Sequence, residues 1–294
     1  MGGEAIAAFQ LDVGTDELYA AFSAGGGRLL TGGRRLQIWD CASGRCLRTL
    51  DGHRGPVTAL CWAPGGHEVA SGGFDDHLVR LWDVASGACL RTFQGHAGYI
   101  RSVALSPSGR YLLSGSGDAT VRVWERSSGE CVRVLEGHAD GVYHAVFDPG
   151  ERRVLSGGRD ATLRLWELAS GRSLCVLRGA PYHVQCLDWS ADGRHFLSCS
   201  RDIRLCDADE GRCVRTFSGH GDTIRTVRWS GDETRVLSAA HDRTVRVWEA
   251  ATGRCLRMLE GHGNCVVAAA WGGGDDRVLS CDCSGGLRAW RLTG

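Results

Sequence analysis

The chain has no lysine, so all 34 of its basic residues are arginine, and its only asparagine is Asn264. The missing lysine excludes Schiff-base catalysis and a phosphate-loop lysine. The bias itself reads as GC-rich coding and points to a bacterial source. Proline is scarce, five residues in 294, which leaves turn formation to the 43 glycines. Long hydrophobic runs are absent. The apolar stretch Cys265 to Trp271 is too short to span a bilayer, and Glu4 with the short run Ala5 to Phe9 does not make a signal peptide. Charge of one sign is lacking too: 34 acidic residues balance the arginines and the pI is near 7.1. Nothing in the overall electrostatics therefore draws the chain to nucleic acid or anionic lipid, and a cytoplasmic location is expected.

Catalytic and metal-binding signatures are also missing. There is no Cys-x-x-Cys pair, no Gly-x-Ser-x-Gly elbow, no His-Glu-x-x-His helix and no Gly-x-Gly-x-x-Gly opening a helix. No catalytic residue, cofactor or metal site is predicted. Cysteine, by contrast, is plentiful, with 14 residues. Cys46, Cys89, Cys131, Cys213 and Cys255 share one register about a repeat apart, too far for the roughly 4.4 to 6.8 Å that a disulfide allows between alpha carbons, so they are predicted to be thiols.

What is present is a repeat. Gly52-His53, Gly95-His96, Gly137-His138, Gly219-His220 and Gly261-His262 mark its starts, with Gly179-Ala180 in register where the histidine is lost. Trp39, Trp82, Trp124, Trp166, Cys206, Trp248 and Trp290 mark its ends, spaced 43, 42, 42, 40, 42 and 42 residues apart. A period in the low forties with these two signposts predicts four-stranded propeller blades. Seven ends predict an all-β, seven-bladed β-propeller over residues 1–294, one ring, because no blade buries both faces alone. In the third repeat, Tyr99 to Leu105, Tyr111 to Ser114, Val121 to Glu125 and Cys131 to Leu135 read as strands a to d. The sequence stops at strand c of blade 7, and Ile6 to Phe9 has the spacing of a d strand. The N-terminal segment is therefore predicted to complete the last blade and remove an exposed edge.

With Gly-His, Ser-Gly-x-x-Asp and Val-Arg-Leu-Trp-Asp recurring together, the chain resembles the WD-repeat (tryptophan-aspartate repeat) β-propellers over essentially its full length. The resemblance implies a hydrogen-bonded tetrad within a blade. Carried over by register, complete sets are His53, Ser71, Asp76 and Trp82; His96, Ser114, Asp118 and Trp124; His138, Ser156, Asp160 and Trp166; and His220, Ser238, Asp242 and Trp248. Blade 1 keeps only Thr31 and Trp39. Blade 5 keeps Ser198 and Asp202 but has Ala180 and Cys206. Blade 7 has His262, Ser280 and Trp290, with Ser284 at the aspartate position.

Residues that recur in register belong to the scaffold, so function is sought where the register breaks. Eleven arginines recur: Arg80, Arg122, Arg164, Arg204, Arg246 and Arg288 two before the Trp position, and Arg48, Arg91, Arg133, Arg215 and Arg257 after the outer cysteine. They are expected to lay their stems along blade surfaces with the guanidinium in water. The start of strand a, which the resemblance places at the mouth of the central channel, does not recur. Its residues are Leu18, Thr58, Arg101, Tyr143, Gln185, Arg225 and Val267, preceded in blades 2 to 7 by Pro56, Tyr99, Gly141, His183, Thr223 and Cys265. Arginine and tyrosine are enriched at binding hot spots, and arginine grips carboxylate or phosphate through paired hydrogen bonds. Tyr99, Arg101, Tyr143, His183, Gln185 and Arg225 are thus the predicted docking site for an acidic or phosphorylated protein segment.

The resulting expectation is a non-catalytic protein-interaction scaffold, monomeric unless held in a complex, with protein or peptide partners. The alternatives are a regulatory or ligand-sensing propeller domain of a larger bacterial signalling protein and a channel-centred enzyme. The latter would need clustered acids or metal ligands at the strand-a starts.

Overall fold

Glycine and small polar residues interrupt the apolar segments every few residues, and each segment between them forms a short strand. The computed structural model describes residues 4–13, 18–178 and 182–292, and within them the strands assemble into seven four-stranded antiparallel sheets. Blade 1 comprises Tyr19–Phe22, Arg28–Gly32, Leu36–Asp40 and Cys46–Leu50 as strands a to d; blade 3 comprises Ile100–Leu105, Tyr111–Ser116, Val121–Glu125 and Cys131–Leu135. Blade 5 is built from Cys186–Trp189, His195–Cys199, Ile203–Asp207 and Arg212–Phe217. Innermost strands touch their neighbours around the whole circuit, blade 1 against blade 7 included. The ring is closed.

Closure follows the predicted route. Glu4–Gln10 pairs antiparallel with Gly286–Arg291 and is the outer strand of blade 7, whose other strands are Val266–Gly272 and Arg277–Asp282. The next residues, Leu11 and Val13, turn inward and pack with Leu29 and Trp39 of blade 1 and Cys281 and Leu287 of blade 7. The first and last sheets are thus joined by backbone ladder and by core. Elsewhere the core is likewise divided into clusters between adjacent blades: Phe93 of blade 2 meets Trp124 of blade 3 edge-on at 5.8 Å, and Phe217 meets Trp248 at 6.2 Å.

Most of the recurring arginines also make specific contacts with their guanidinium. Arg122, Arg164, Arg246 and Arg288 hold their guanidinium over the tryptophan two residues on, at 6.0, 5.8, 5.8 and 5.9 Å from the ring, a cation–π cover for the indole. On the outer strand, Arg91 Nη1 donates to the Ser128 carbonyl at 2.8 Å, Arg133 Nε to Ala169 at 3.1 Å and Arg215 Nη1 to Ala250 at 2.8 Å, and Arg48 reaches Ala85 in the same way. Each acceptor lies in the c–d turn of the next blade. These arginines stitch neighbouring blades together because the turn carbonyls have no strand partner and the arginine fork reaches across.

The outer cysteines need one correction. Cys46, Cys89, Cys131 and Cys255 are exposed free thiols, but Cys213 is bonded to Cys206, with alpha carbons 3.8 Å apart. In other blades the outer cysteine lies opposite the repeat-ending tryptophan, as in Trp82 opposite Cys89 and Trp124 opposite Cys131. Cys206 stands in the tryptophan's place, so two cysteines face each other across strands c and d of one blade. The distance argument between blades had overlooked this pairing within one.

Candidate functional site

Among the described residues five tetrads are formed, one more than the register predicts. In blade 3 the Trp124 indole N–H donates to Ser114 Oγ at 2.8 Å, Ser114 sits 2.7 Å from His96 Nε2, and His96 Nδ1 sits 2.7 Å from Asp118. The serine accepts from the indole, so its own proton goes to Nε2, and the ring must carry its hydrogen on Nδ1 and donate it to the carboxylate. Blades 2, 4 and 6 repeat this with Ser71, Ser156 and Ser238 at 2.7, 2.8 and 2.8 Å from the indole nitrogen. Burial holds His53, His138 and His220 below the ordinary histidine pKa, as a neutral ring requires.

Blade 7 is complete as well, which corrects the expectation. His262 Nδ1 donates to Asp282 at 2.9 Å, His262 Nε2 meets Ser280 at 2.7 Å and Trp290 donates to Ser280 at 2.8 Å. Ser284 is not a substitute for the aspartate; it donates to Asp282 at 2.7 Å. Asp282 stands two residues before the counted position, at the site that Ser116 occupies in blade 3, and from there its carboxylate reaches the same imidazole. Blade 1 retains the Trp39 to Thr31 bond at 2.8 Å. The Ala180 position of blade 5 lies outside the described residues.

With the scaffold residues accounted for, the channel mouth remains. Thr58, Arg101, Tyr143, Gln185, Arg225 and Val267 all line one central cavity of about 120 Å³. The blade 1 member is Tyr19 and not Leu18, which is buried: the a–b pairing of blade 1 runs without the register shift found around Arg101 in blade 3. Tyr19 organises the mouth. Arg101 lies 4.9 Å from its ring and Arg225 5.7 Å, while Arg101 is also 5.3 Å from the Tyr143 ring. Arg225 Nη1 donates to Gln185 Oε1 at 3.3 Å. Burial, then the like charge of Arg101, pulls Arg225 below the usual arginine pKa. Among the described residues neither Arg101 nor Arg225 has a carboxylate ion-pair partner, and so the mouth concentrates unneutralised positive charge.

Two of the predicted residues lie on the rim. Tyr99 stacks on Phe74 at 4.8 Å, and the Phe74 side chain is 44% exposed. His183 packs edge-on to Tyr143 at 5.8 Å and its Nδ1 donates to the Arg159 carbonyl at 2.9 Å. Close by in blade 5, the exposed Tyr182 carries Arg201 over its ring at 4.6 Å. Deeper in the channel wall are His144, Cys186 and Arg228, with Asp188 beside them, and the sequence reading missed all four. The signal was there: strand a of blade 6 carries Arg228 where blade 2 has Cys61 and blade 3 has Ala104, and blade 5 answers it with Asp188. Asp188 accepts from the Trp229 backbone N–H at 2.9 Å, and burial pushes its pKa up to about 6.

The model of the WD domain, G-beta repeat matches six times, over residues 44–83, 87–125, 129–167, 171–205, 211–249 and 253–291. The chain belongs to this WD-repeat family. Each match runs from the outer strand of one blade through the inner three of the next, so the repeat in sequence is offset by one strand from the blade in space. A search of curated proteins found no match. WD-repeat propellers generally act as protein-interaction scaffolds.

Proposed function

We propose that this WD-repeat ring is a non-catalytic interaction scaffold whose channel mouth receives an acidic or phosphorylated segment of a partner protein. One observation carries the reading: Arg101 and Arg225 converge over Tyr19 without a carboxylate partner among the described residues, at the opening of a cavity walled by all seven blades. An entering carboxylate or phosphate offsets the repulsion between the two guanidiniums and accepts charge-assisted hydrogen bonds from both. The exposed Phe74–Tyr99 stack and Tyr182 beside the mouth give flanking side chains apolar surface, in keeping with the aromatic anchors of interfaces. Outer-edge arginines and tetrads hold the blades in place, so the mouth is preorganised and binding orders little of the protein.

The test is fluorescence anisotropy with a set of acidic and phosphorylated peptides against the intact chain, at low and physiological salt. At least one peptide should bind with an affinity that falls as salt rises. Arg101→Glu with Arg225→Glu should weaken it at least roughly tenfold, the loss of one charge-assisted bond or more. Arg101→Gln with Arg225→Gln provides a milder pair, and melting curves establish that either variant is folded. Binding that survives in folded double variants would move the docking site elsewhere, and failure of all acidic peptides would remove the anionic partner.

A further inference from the structure

The deeper channel wall holds chemistry that a docking site does not use. Cys186 lines the central cavity yet is only 3% exposed. Arg228 Nη1 lies 3.4 Å from its sulfur and His144 Nε2 lies 4.0 Å away, from the blades on either side. His144 Nδ1 is buried with no hydrogen-bond partner among the described residues. Directly opposite Cys186 across strands a and b of blade 5 is Cys199, its cross-strand partner. Paired residues on antiparallel strands have alpha carbons about 4.5 to 5.5 Å apart, within the span a disulfide accepts. Cys199 does not line the cavity, so anything arriving through the channel meets Cys186 first.

We propose that Cys186 and Cys199 form a reversible dithiol–disulfide couple in the channel wall, with Cys186 as the sulfur that attacks a small hydroperoxide. The Cys186 thiolate attacks the terminal peroxide oxygen, the O–O bond breaks and an S–O bond forms. This gives a sulfenic acid and an alkoxide, or hydroxide from hydrogen peroxide, which takes a proton from water. The Cys199 thiol then displaces hydroxide from the sulfenic sulfur; the S–S bond forms and water leaves with the Cys199 proton. Sulfur is oxidised by two electrons and the peroxide is reduced by two. A small thiol reductant restores the pair by exchange.

Electrostatics support the order of attack. The facing Cys199, then His144 and Arg228, hold the Cys186 thiol well below its ordinary pKa, whereas burial and the neighbouring Cys186 push Cys199 well above its own. A low-pKa sulfur beside a fixed guanidinium is the nucleophile, and the neutral partner is the resolving thiol. Another close pair, Cys265 and Cys283 with sulfurs 3.3 Å apart, lacks this placement: among the described residues no arginine or histidine hydrogen-bonds to either sulfur.

The inference is independent of peptide docking. The intact reduced protein is titrated with hydrogen peroxide, and cysteines are mapped by differential alkylation and peptide mass analysis. A Cys186–Cys199 link should appear before exposed Cys46, Cys89, Cys131 or Cys255 is oxidised, and small thiols should reverse it. In Cys199→Ser, a sulfenic acid should persist at Cys186 and be trapped by dimedone. Arg228→Met should slow the reaction at least roughly tenfold, matching the lost thiolate fraction, with melting curves to verify folding. Wild-type protein in which peroxide oxidises the exposed thiols first, or links other pairs while Cys186 stays reduced, would overturn the proposal whether or not the variants fold.

Discussion

In blade 3 Trp124 lies opposite Leu112, and its indole begins the hydrogen-bonded path through Ser114 and His96 to Asp118. In blade 5 the same cross-strand site pairs Cys206 with Phe196. The bulk has moved from one strand to its neighbour: where blades 2, 3, 4 and 6 set a large tryptophan against Val or Leu, blade 5 sets a large phenylalanine against a small cysteine. Phe196 is fully buried and packs edge-on against Trp189 at 5.5 Å. The polar path is replaced by a covalent link from Cys206 to Cys213. The comparison separates two requirements that a tetrad meets together. Filling the space between blades is obligatory, because a void forfeits dispersion and transfer energy. The buried hydrogen-bond path is one of several ways to fix the strands once the space is filled.

The largest expected effect tests the volume requirement. Trp124→Ala should cost about 3–5 kcal/mol in urea unfolding under reducing conditions, as large-to-small core changes do. Cys206→Ala in the same buffer should cost less, about 1–2 kcal/mol, since it removes a single buried sulfur and strands no polar group. Equal losses at the two sites would break the comparison.

A swap sharpens it further. Cys206→Trp alone should overpack blade 5 beside Phe196 and destabilise by about 1–3 kcal/mol. Adding Phe196→Val restores the pairing of the other blades and should recover most of that loss. If Cys206→Trp alone is neutral under reducing conditions, the two side chains do not share one volume.

The smallest effect concerns protons. Burial keeps His53, His138 and His220 below their ordinary pKa of 6.5, so as pH falls the unfolded chain takes up protons before the folded rings do. Stability from these groups is therefore intact above about pH 6.5 and is lost progressively as pH drops toward the folded-state values. Melting temperature should decline as pH falls through about 6.5 toward 5.5, above the ordinary carboxylate range; Asp188, raised to about 6 in the folded chain, has the opposite sign and offsets part of the loss as it protonates. Hydrogen exchange should locate the weakening in blades 2, 4 and 6 and leave blade 5, which has Ala180 at the histidine position, little changed. A loss that falls mainly on blade 5 would contradict the buried neutral histidines.

The repeat marks, the seven blade ends, the strand segments and the spare N-terminal strand were legible because each is a local pattern copied along the chain, and a copied pattern fixes a copied structure. Thr58, Arg101, Tyr143, Gln185, Arg225 and Val267 were legible at the channel because they break that pattern at one counted position. Counting failed at two positions: in blade 1 Tyr19 and not Leu18 lines the cavity, and in blade 7 Asp282, two residues before the counted Ser284 in a hairpin of unchanged length, reaches the imidazole, since a side chain meets its partner in space and not at a fixed offset. It failed again at Cys206–Cys213 and at Cys186–Cys199, whose members are distant in the repeat but opposite in the sheet.

By itself, then, the sequence determined the number of blades, the strand order and the identity of most scaffold residues, all consequences of short-range periodicity and turn chemistry. Tertiary structure alone decided which side chains meet: two arginines over one tyrosine, a cysteine between an arginine and a histidine, an arginine on one blade holding the turn of the next. Those contacts join residues 35 or more positions apart, and only closure of the ring sets their distances and the low-dielectric surroundings that give them their chemistry.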